Sequence, residues 1–200
     1  MGKENEINNI WEFYKDYYNM EFSEELKNNV LSLVNERKLK KDEILTHIGS
    51  RQSVVYFVVS GILRDYYIDI DGNDVTRFFL QKGNMCGGDR VLVDEPSPVC
   101  TEALTDCILL EISVDVFKRL VSENPECQKL WLKCLEYSLI YKIKRENSLL
   151  TKSATERYID FKHNYPELED KVLQKHIASY LGITAVSLSR IRRTIIDNEL

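Results

Sequence analysis

The chain has 200 residues, of which 44% are hydrophobic and 30% charged, and its net charge is −5. This composition predicts a globular protein of one large or two small domains and excludes a disordered chain. The sequence has no apolar run long enough to cross a bilayer, and its polar first residues lack a signal-peptide core, so we expect a cytoplasmic protein without membrane contact. The five cysteines include no CxxC pair, which argues against a zinc site or a disulfide framework and predicts no metal centre.

Two amphipathic helices are predicted between about residues 7 and 37. Apolar residues recur at helical spacing in each half of this segment. Ser23 is followed by Glu24 and Glu25, which is typical of a helix N-cap with acidic residues in the first turn. We expect both helices to pack on a larger body.

The central part of the chain has the pattern of a β-structure. Residues 54–70 are rich in β-branched and aromatic side chains and are interrupted at Ser60-Gly61. Asp71-Gly72-Asn73 then provides a hairpin turn before a strand at residues 75–80. Short strands separated by regular turns indicate a small antiparallel barrel or jelly roll. Further strands are predicted at residues 100–104 and 107–112.

A long helix is predicted over residues 126–150, after a short helix that ends near Asn124-Pro125. The long segment contains neither glycine nor proline, and its apolar residues cover too wide an arc for a simple surface helix. We therefore expect one face to pack on the barrel and the other on a second copy of the chain. Another helix is predicted over residues 151–165, closed by Pro166.

Residues 174–193 have the pattern of a helix-turn-helix. Ala178 is the small residue where the two helices approach, Gly182 supplies the left-handed turn, and Thr184 is placed to cap the second helix. The apolar residues on both sides of the turn are predicted to face inward: Ile177, Leu181, Ile183, Leu188 and Ile191.

The second helix of this motif has a small and polar outer face, which is suited to reading DNA. The segment contains Lys175, Arg190, Arg192 and Arg193 and no acidic residue, although the whole chain is acidic. Such a local basic cluster is expected for phosphate contacts. An ordinary helical hairpin inside an all-α core is the alternative interpretation. The predicted outward residues are Ala185, Val186, Ser187, Ser189 and Arg190.

Several stretches together resemble the Crp/Fnr family of bacterial transcription regulators. They are residues 41–45, 55–64, 71–72, Gly83 and 87–89, followed by the helix-turn-helix. The resemblance implies a barrel like that of cyclic-nucleotide-binding proteins, a dimerisation helix and a C-terminal DNA-binding domain. It also implies a homodimer on a pseudo-palindromic site in double-stranded DNA, with RNA polymerase as a further candidate partner.

The expected fold class is therefore α+β. N-terminal helices and an antiparallel jelly roll form an effector domain over residues 1–125, and residues 126–150 form the dimerisation helix. Residues 151–200 form the helix-turn-helix domain. Because the sequence stops soon after the second helix of the motif, we expect little or no β-wing and weaker, more salt-sensitive DNA binding.

The resemblance also places an effector pocket in the barrel. Gly88-Asp89 is similar to the family's Gly-Glu element, whereas the family's Arg-Ser pair falls on Ser97-Pro98. A cyclic phosphate that lacks this arginine loses a charge-assisted hydrogen bond worth about 1.5–3 kcal/mol. We therefore predict that cyclic AMP is not bound tightly, while another small-molecule effector is allowed. The implied pocket residues are Gly87, Gly88, Asp89, Arg90, Ser97, Pro98 and Cys100.

No cofactor is implied. The cysteine cluster of the family's oxygen sensors is missing, since no cysteine precedes Cys86, and no haem-ligand pattern is present. Cys86, next to the glycines of the pocket, is expected to be a buried residue, and a redox-sensitive thiol is the alternative.

On the DNA side, the resemblance indicates residues for base contacts and residues for phosphate contacts, and Ser187 belongs to both sets. Arg190 is suited to a bidentate contact with guanine, and Val186 to a thymine methyl group, so the operator should differ from that of well-known members. The phosphate contacts are assigned to Gln174, Lys175, Ser187, Arg192 and Arg193. The base-reading positions are Thr184, Ala185, Val186, Ser187 and Arg190.

A second functional interpretation is a ligand-binding barrel whose C-terminal helices contact other proteins without sequence-specific DNA binding. An enzyme is not expected, because the sequence shows no nucleophile–base constellation, no metal-ligand set and no phosphate-binding loop.

Overall fold

The computed structural model describes residues 2–51, 53–93 and 95–199, without the side chains of residues 90 and 196–199. The helices are α1 (Lys3–Tyr18), α2 (Glu24–Leu33), α3 (Asp89–Leu92), α4 (Val114–Glu123), α5 (Pro125–Thr151), α6 (Ala154–Asn164), α7 (Leu168–Lys171), α8 (Gln174–Leu181) and α9 (Ala185–Glu199). The strands are β1 (Asn35–Leu39), β2 (Ile44–Thr46), β3 (Val54–Ser60), β4 (Leu63–Ile68), β5 (Asp74–Leu80), β6 (Met85–Cys86), β7 (Cys100–Ala103) and β8 (Cys107–Ser113). Within these described residues, every helix is too short or too polar to cross a lipid bilayer.

The two predicted N-terminal helices are present, and the second is capped as expected. The Ser23 side chain accepts a hydrogen bond from the Leu26 amide at 3.3 Å. The predicted helical end near residue 37 is wrong, because α2 stops at Leu33 and the following residues form β1. These residues pair with β8 over the register Asn35↔Glu111 to Leu39↔Cys107, and this long-range ladder overrides the local helical pattern.

The predicted antiparallel jelly roll is confirmed. In the described part of the chain, two four-stranded sheets have the orders β1-β8-β3-β6 and β2-β7-β4-β5. Gly61, between β3 and β4, has a φ of +92°, and a Cβ there would lie 2.5 Å from the Asp106 carbonyl oxygen. The interruption predicted at Ser60-Gly61 is therefore a tight corner that only glycine fits.

One layer of the core lies between the first sheet and the N-terminal helices. Val55 and Ile112 stand opposite each other on β3 and β8, and both are buried against the helical side chains. The helical contribution to this layer comes from Ile7, Ile10, Trp11, Tyr14, Leu26 and Val30.

The long helix predicted over residues 126–150 is present as α5, which has 27 residues. Among its described side chains, none is buried within the single chain. The chain divides into two compact units, of which the first comprises Met1–Asp65 and Phe79–Tyr137. The second comprises Tyr66–Phe78 and Ser138–Leu200, so it combines the β4–β5 turn with the C-terminal helices.

Candidate DNA-binding and effector sites

The predicted turn between α8 and α9 is built as the sequence indicates. Gly182 ends α8 in the left-handed region with a φ of 68°, and its amide donates to the carbonyls of α8. The next amide, of Ile183, donates to the Ala178 carbonyl at 3.0 Å. Ala178 is buried, as a small residue at the approach of two helices should be. These bonds satisfy the last carbonyls of α8 and fix the direction in which α9 leaves.

Thr184 caps α9 through its side chain, as predicted. The Ser187 amide donates to Thr184 Oγ1 at 3.1 Å, and the two hydroxyls lie 2.9 Å apart. Leu188, one position later, is fully buried, and this anchors the inner face of the helix. The start of α9 is therefore held by a cap and a buried side chain together.

Alanine at position 184 should destabilise the protein by about 1 kcal/mol, because an orphan amide of the first turn loses its acceptor. Serine keeps the oxygen, so Thr184→Ser should retain most of the stability. Urea unfolding followed by circular dichroism measures both variants. Equal stability of Thr184→Ala and the wild-type protein would show that the cap contributes nothing.

The outer face of α9 is open to solvent. Ala185, Val186, Ser189 and Arg190 are exposed, and Val186 is exposed to 62%. Ser187 is half-buried and hydrogen-bonded to Thr184, and its base and phosphate contacts stay predictions. The exposed polar and basic residues predicted beside this face are Gln174, Lys175 and Arg193.

Arg192, one of the predicted phosphate contacts, is paired with a carboxylate of the same compact unit. Its Nε lies 3.3 Å from a carboxylate oxygen of Glu169, and its side chain is only 30% exposed. Tyr158 donates its hydroxyl proton to the same carboxylate. Glu169, the second residue of α7, was not identified from the sequence. A phosphate at Arg192 would therefore compete with this carboxylate.

The β4–β5 turn region contacts the first helix of the motif through Ser179. The Thr76 amide donates to Ser179 Oγ at 2.9 Å, and this hydroxyl donates to the Asp74 carbonyl at 3.0 Å. The Ser179 hydroxyl thus satisfies one backbone donor and one backbone acceptor of β5. Sequence reasoning missed this contact, because its partners are about a hundred positions apart.

Two side chains of α5, Arg145 and Tyr141, also bind backbone groups of β5 or α8. Arg145 donates to the Tyr180 carbonyl at 2.8 Å and to the Thr76 carbonyl at 3.3 Å, and its guanidinium lies 4.1 Å from the centre of the Tyr180 ring. Tyr141 donates its hydroxyl to the Arg77 carbonyl at 3.1 Å. Burial raises the pKa of Tyr141 far above its usual range, so this phenol remains a proton donor. The helix-turn-helix is thereby connected to the strand-turn segment by polar contacts.

The predicted effector pocket begins at the turn between β6 and α3. Gly87 has a φ of +74°, and Gly88 precedes α3, which starts at Asp89. Cys86 is buried, and desolvation followed by the charge of Asp65 raises the pKa of its thiol well above the usual value. A protonated, buried thiol fits the expected structural role better than redox sensing. The side chain of Arg90 lies outside the described residues.

The second part of the predicted pocket is a loop with an internal hydrogen-bond network. Ser97 is buried, and its hydroxyl donates to the Val99 carbonyl at 3.0 Å. Cys100 is also buried, and its sulfur accepts from the Ile48 amide at 3.2 Å. Pro98 is exposed. Ser97 and Cys100 are therefore already used within the protein, and neither carries a positive charge.

A charged pair of the buried Arg64 and the partly buried Glu102 lies on the neighbouring strands β4 and β7, and sequence reasoning missed it. Arg64 is only 2% exposed, and its Nε lies 2.5 Å from Glu102 Oε1. Next to it, Thr101 donates to the buried carboxylate of Asp65 at 2.6 Å. The available signal was an Arg-Asp dipeptide inside a strand rich in apolar and aromatic residues. The Arg64 guanidinium is thus paired with the Glu102 carboxylate and would have to leave it to bind an anionic ligand.

These two sheets, with the Gly87-Gly88 turn leading into a short helix, define a cyclic nucleotide-binding domain. Residues 36–124 match the cyclic nucleotide-binding domain family. The chain is 25% identical over 176 residues to the anaerobic regulatory protein of Haemophilus influenzae, covering 80% of this chain and 67% of that protein.

Two solved structures are similar in fold over most of the chain. The c-di-GMP responsive global regulator CLP of Xanthomonas campestris has 16% identity and a TM-score of 0.74, covering 86% of this chain and 91% of that chain. A Crp/Fnr family protein from Eubacterium rectale has 18% identity and a TM-score of 0.73, covering 95% and 88% respectively. Together these similarities support a regulator of the Crp/Fnr type.

Proposed function

We propose that this protein is a homodimeric, sequence-specific DNA-binding transcription regulator whose barrel does not bind cyclic AMP tightly. The observation that carries the proposal is the outer face of α9, which is exposed on a helix whose inner face and first turn are fixed. A helix held in this way presents its N-terminal side chains to the major groove with little ordering cost on binding. The relatives named as regulatory proteins support the same function.

In this proposal the residues of α9 read bases and the surrounding cations position the helix on the duplex. Arg190 is exposed and can reach the guanine edge, while Val186 is exposed and can contact a thymine methyl. Lys175 and Arg193 are exposed and available to phosphates. Arg192 contributes less, because Glu169 already holds its guanidinium.

The dimer forms through α5, within the segment 126–150 proposed as the dimerisation helix. Five apolar side chains of this helix are more than half exposed; Ile140 is one, and the other four recur at intervals of seven, four and seven residues, which places those four on one stripe. A continuous exposed apolar stripe is expected to pack against a second helix. The residues of the stripe are Leu132, Leu139, Ile143 and Leu150.

The barrel supports the prediction of weak cyclic AMP binding. The loop position that would carry the phosphate-neutralising arginine is occupied by Ser97 and Pro98, and the buried Arg64 is paired with Glu102. Recruiting Arg64 to a cyclic phosphate would require breaking a buried ion pair, which is costly.

The proposal is tested by selecting operators from a random duplex pool with the full-length protein. Fluorescence anisotropy on the selected duplex should show tight binding that falls steeply with salt and does not change when cyclic AMP is added. Sedimentation of the complex should show two chains per duplex. Binding only in the presence of cyclic AMP would overturn the statement about the barrel. No enrichment of any sequence would favour the protein-contact function instead.

A further inference from the structure

An apolar cavity lies in the first compact unit, between the N-terminal helices, the outer side of the first sheet and the beginning of α5. Its free volume is about 60 Å³. About 10–15 Å³ in this measure is enough for one water molecule, so the cavity has room for several heavy atoms. Representative lining residues are Ile10, Trp11, Val30, Leu110, Trp131 and Cys134.

One polar group among the lining side chains lacks a hydrogen-bond partner. The indole Nε1 of Trp11 is buried and has no acceptor among the described residues, and the whole side chain is only 8% exposed. Two other polar side chains of the lining are already engaged: the Tyr14 hydroxyl donates to the Gly83 carbonyl at 3.1 Å, and Cys134 is hydrogen-bonded to Tyr18. The Cys127 thiol, which also lines the cavity, is only a weak hydrogen-bonding group. A buried donor without an acceptor is costly and is rarely retained without a reason.

Water is a poor occupant of this cavity. A buried water molecule needs two to four polar partners, and among the buried side-chain nitrogen and oxygen atoms of the described lining only Trp11 Nε1 is unpartnered. A molecule with one hydrogen-bond acceptor and an otherwise apolar body would satisfy the indole and fill the apolar space together.

We propose that this cavity is a binding site for a small, largely apolar molecule with one hydrogen-bond acceptor, such as a short-chain ketone, ester or ether, which accepts from Trp11 Nε1. The site is separate from the pocket predicted in the barrel, since no residue of the described lining belongs to that pocket. The ligand body lies against Trp131 and Cys134 of α5. Binding to this site is independent of the proposed DNA binding and is tested without DNA.

The test is nuclear magnetic resonance of the full-length protein with ¹⁵N-labelled tryptophan. The sequence contains two tryptophans, Trp11 and Trp131, and both line the cavity. Their indole signals are distinguished by Trp11→Phe, which removes one of them. Titration with 2-butanone should move the Trp11 Nε1–H signal downfield and saturate. Each methylene added, in 2-pentanone and then 2-hexanone, should tighten Kd about fourfold until the cavity is full.

Two controls separate a specific site from weak solvent effects. The hydrocarbon 2-methyl-1-butene has the shape of 2-butanone without the acceptor, so it should perturb both indole signals without the downfield shift of Trp11. Cys134→Leu should fill the cavity and abolish saturable binding, whereas Ser138→Leu, which adds the same side chain at an exposed position of α5, should bind as the wild type does.

Shifts that grow linearly with ketone concentration in both indole signals would overturn the proposal. So would an unchanged Kd in Cys134→Leu, provided that the variant is folded. If that variant does not fold, the wild-type ketone series and its hydrocarbon analogue decide the question, because saturation and the downfield shift of a single indole need no variant.

Discussion

Alanine in place of Arg190 is expected to weaken binding to the selected operator by about 1–3 kcal/mol per half-site, the usual contribution of one bidentate arginine–guanine contact. The Arg190 side chain is exposed on the first turns of a helix that is anchored by Thr184 and Leu188. It therefore reaches the groove with little loss of backbone conformational entropy on binding. Because α9 occurs twice in a homodimer, the two losses add on a palindromic site.

The measurement is anisotropy of the wild type and Arg190→Ala on the selected operator and on a scrambled duplex. The variant should lose the difference between the two duplexes. Arg193→Ala is the matched control, since it removes the same charge from an exposed position of the same helix. It should weaken both duplexes equally and reduce the slope of log K against log salt by about one per chain. A uniform loss for Arg190→Ala as well would show that Arg190 contacts phosphate and not bases.

Replacing Glu102 by leucine is expected to destabilise the protein by about 3–5 kcal/mol. The substitution leaves the buried Arg64 guanidinium without the carboxylate that lies 2.5 Å from its Nε. Removing one partner of a buried ion pair is far more costly than removing both. The double variant Arg64→Met with Glu102→Leu should therefore recover most of the lost stability.

Urea unfolding of the two single variants, the double variant and the wild type gives the coupling energy of the pair. Glu21→Leu is the control, because its carboxylate pairs with Lys15 while both side chains are well exposed. That substitution should have no measurable effect on stability. If Glu102→Leu were as stable as the wild type, the Arg64 charge would have to be solvated by other groups in the barrel.

The parts of the fold that the sequence predicted correctly are those defined by local chemistry. Gly61 interrupts a run of strand residues because a Cβ would strike the neighbouring backbone, and that constraint is visible in the sequence as a glycine inside an apolar run. Gly182 and Thr184 likewise mark a helix end and a helix start within three positions. Each signal involves residues close together along the chain.

The parts that sequence reasoning missed depend on partners far along the chain. β1 consists mostly of polar residues, and only its pairing with β8, about seventy positions away, makes it a strand. Arg64 and Glu102 are separated by 38 positions, and Ser179 and Asp74 by 105. For Arg192 the sequence shows a cation suited to phosphate, whereas the fold brings Glu169 against it. Local patterns carry no information about which distant residue becomes a neighbour.

The composition of the second compact unit bears on how this protein can be dissected into fragments. That unit contains Tyr66–Phe78 as well as Ser138–Leu200, so no single cut in the chain separates the two units. A fragment ending before Ser138 would retain the Asp74 carbonyl and the Thr76 amide but lose the Ser179 hydroxyl that binds both. The barrel expressed by itself would thus carry an exposed strand segment with open backbone groups, which invites self-association.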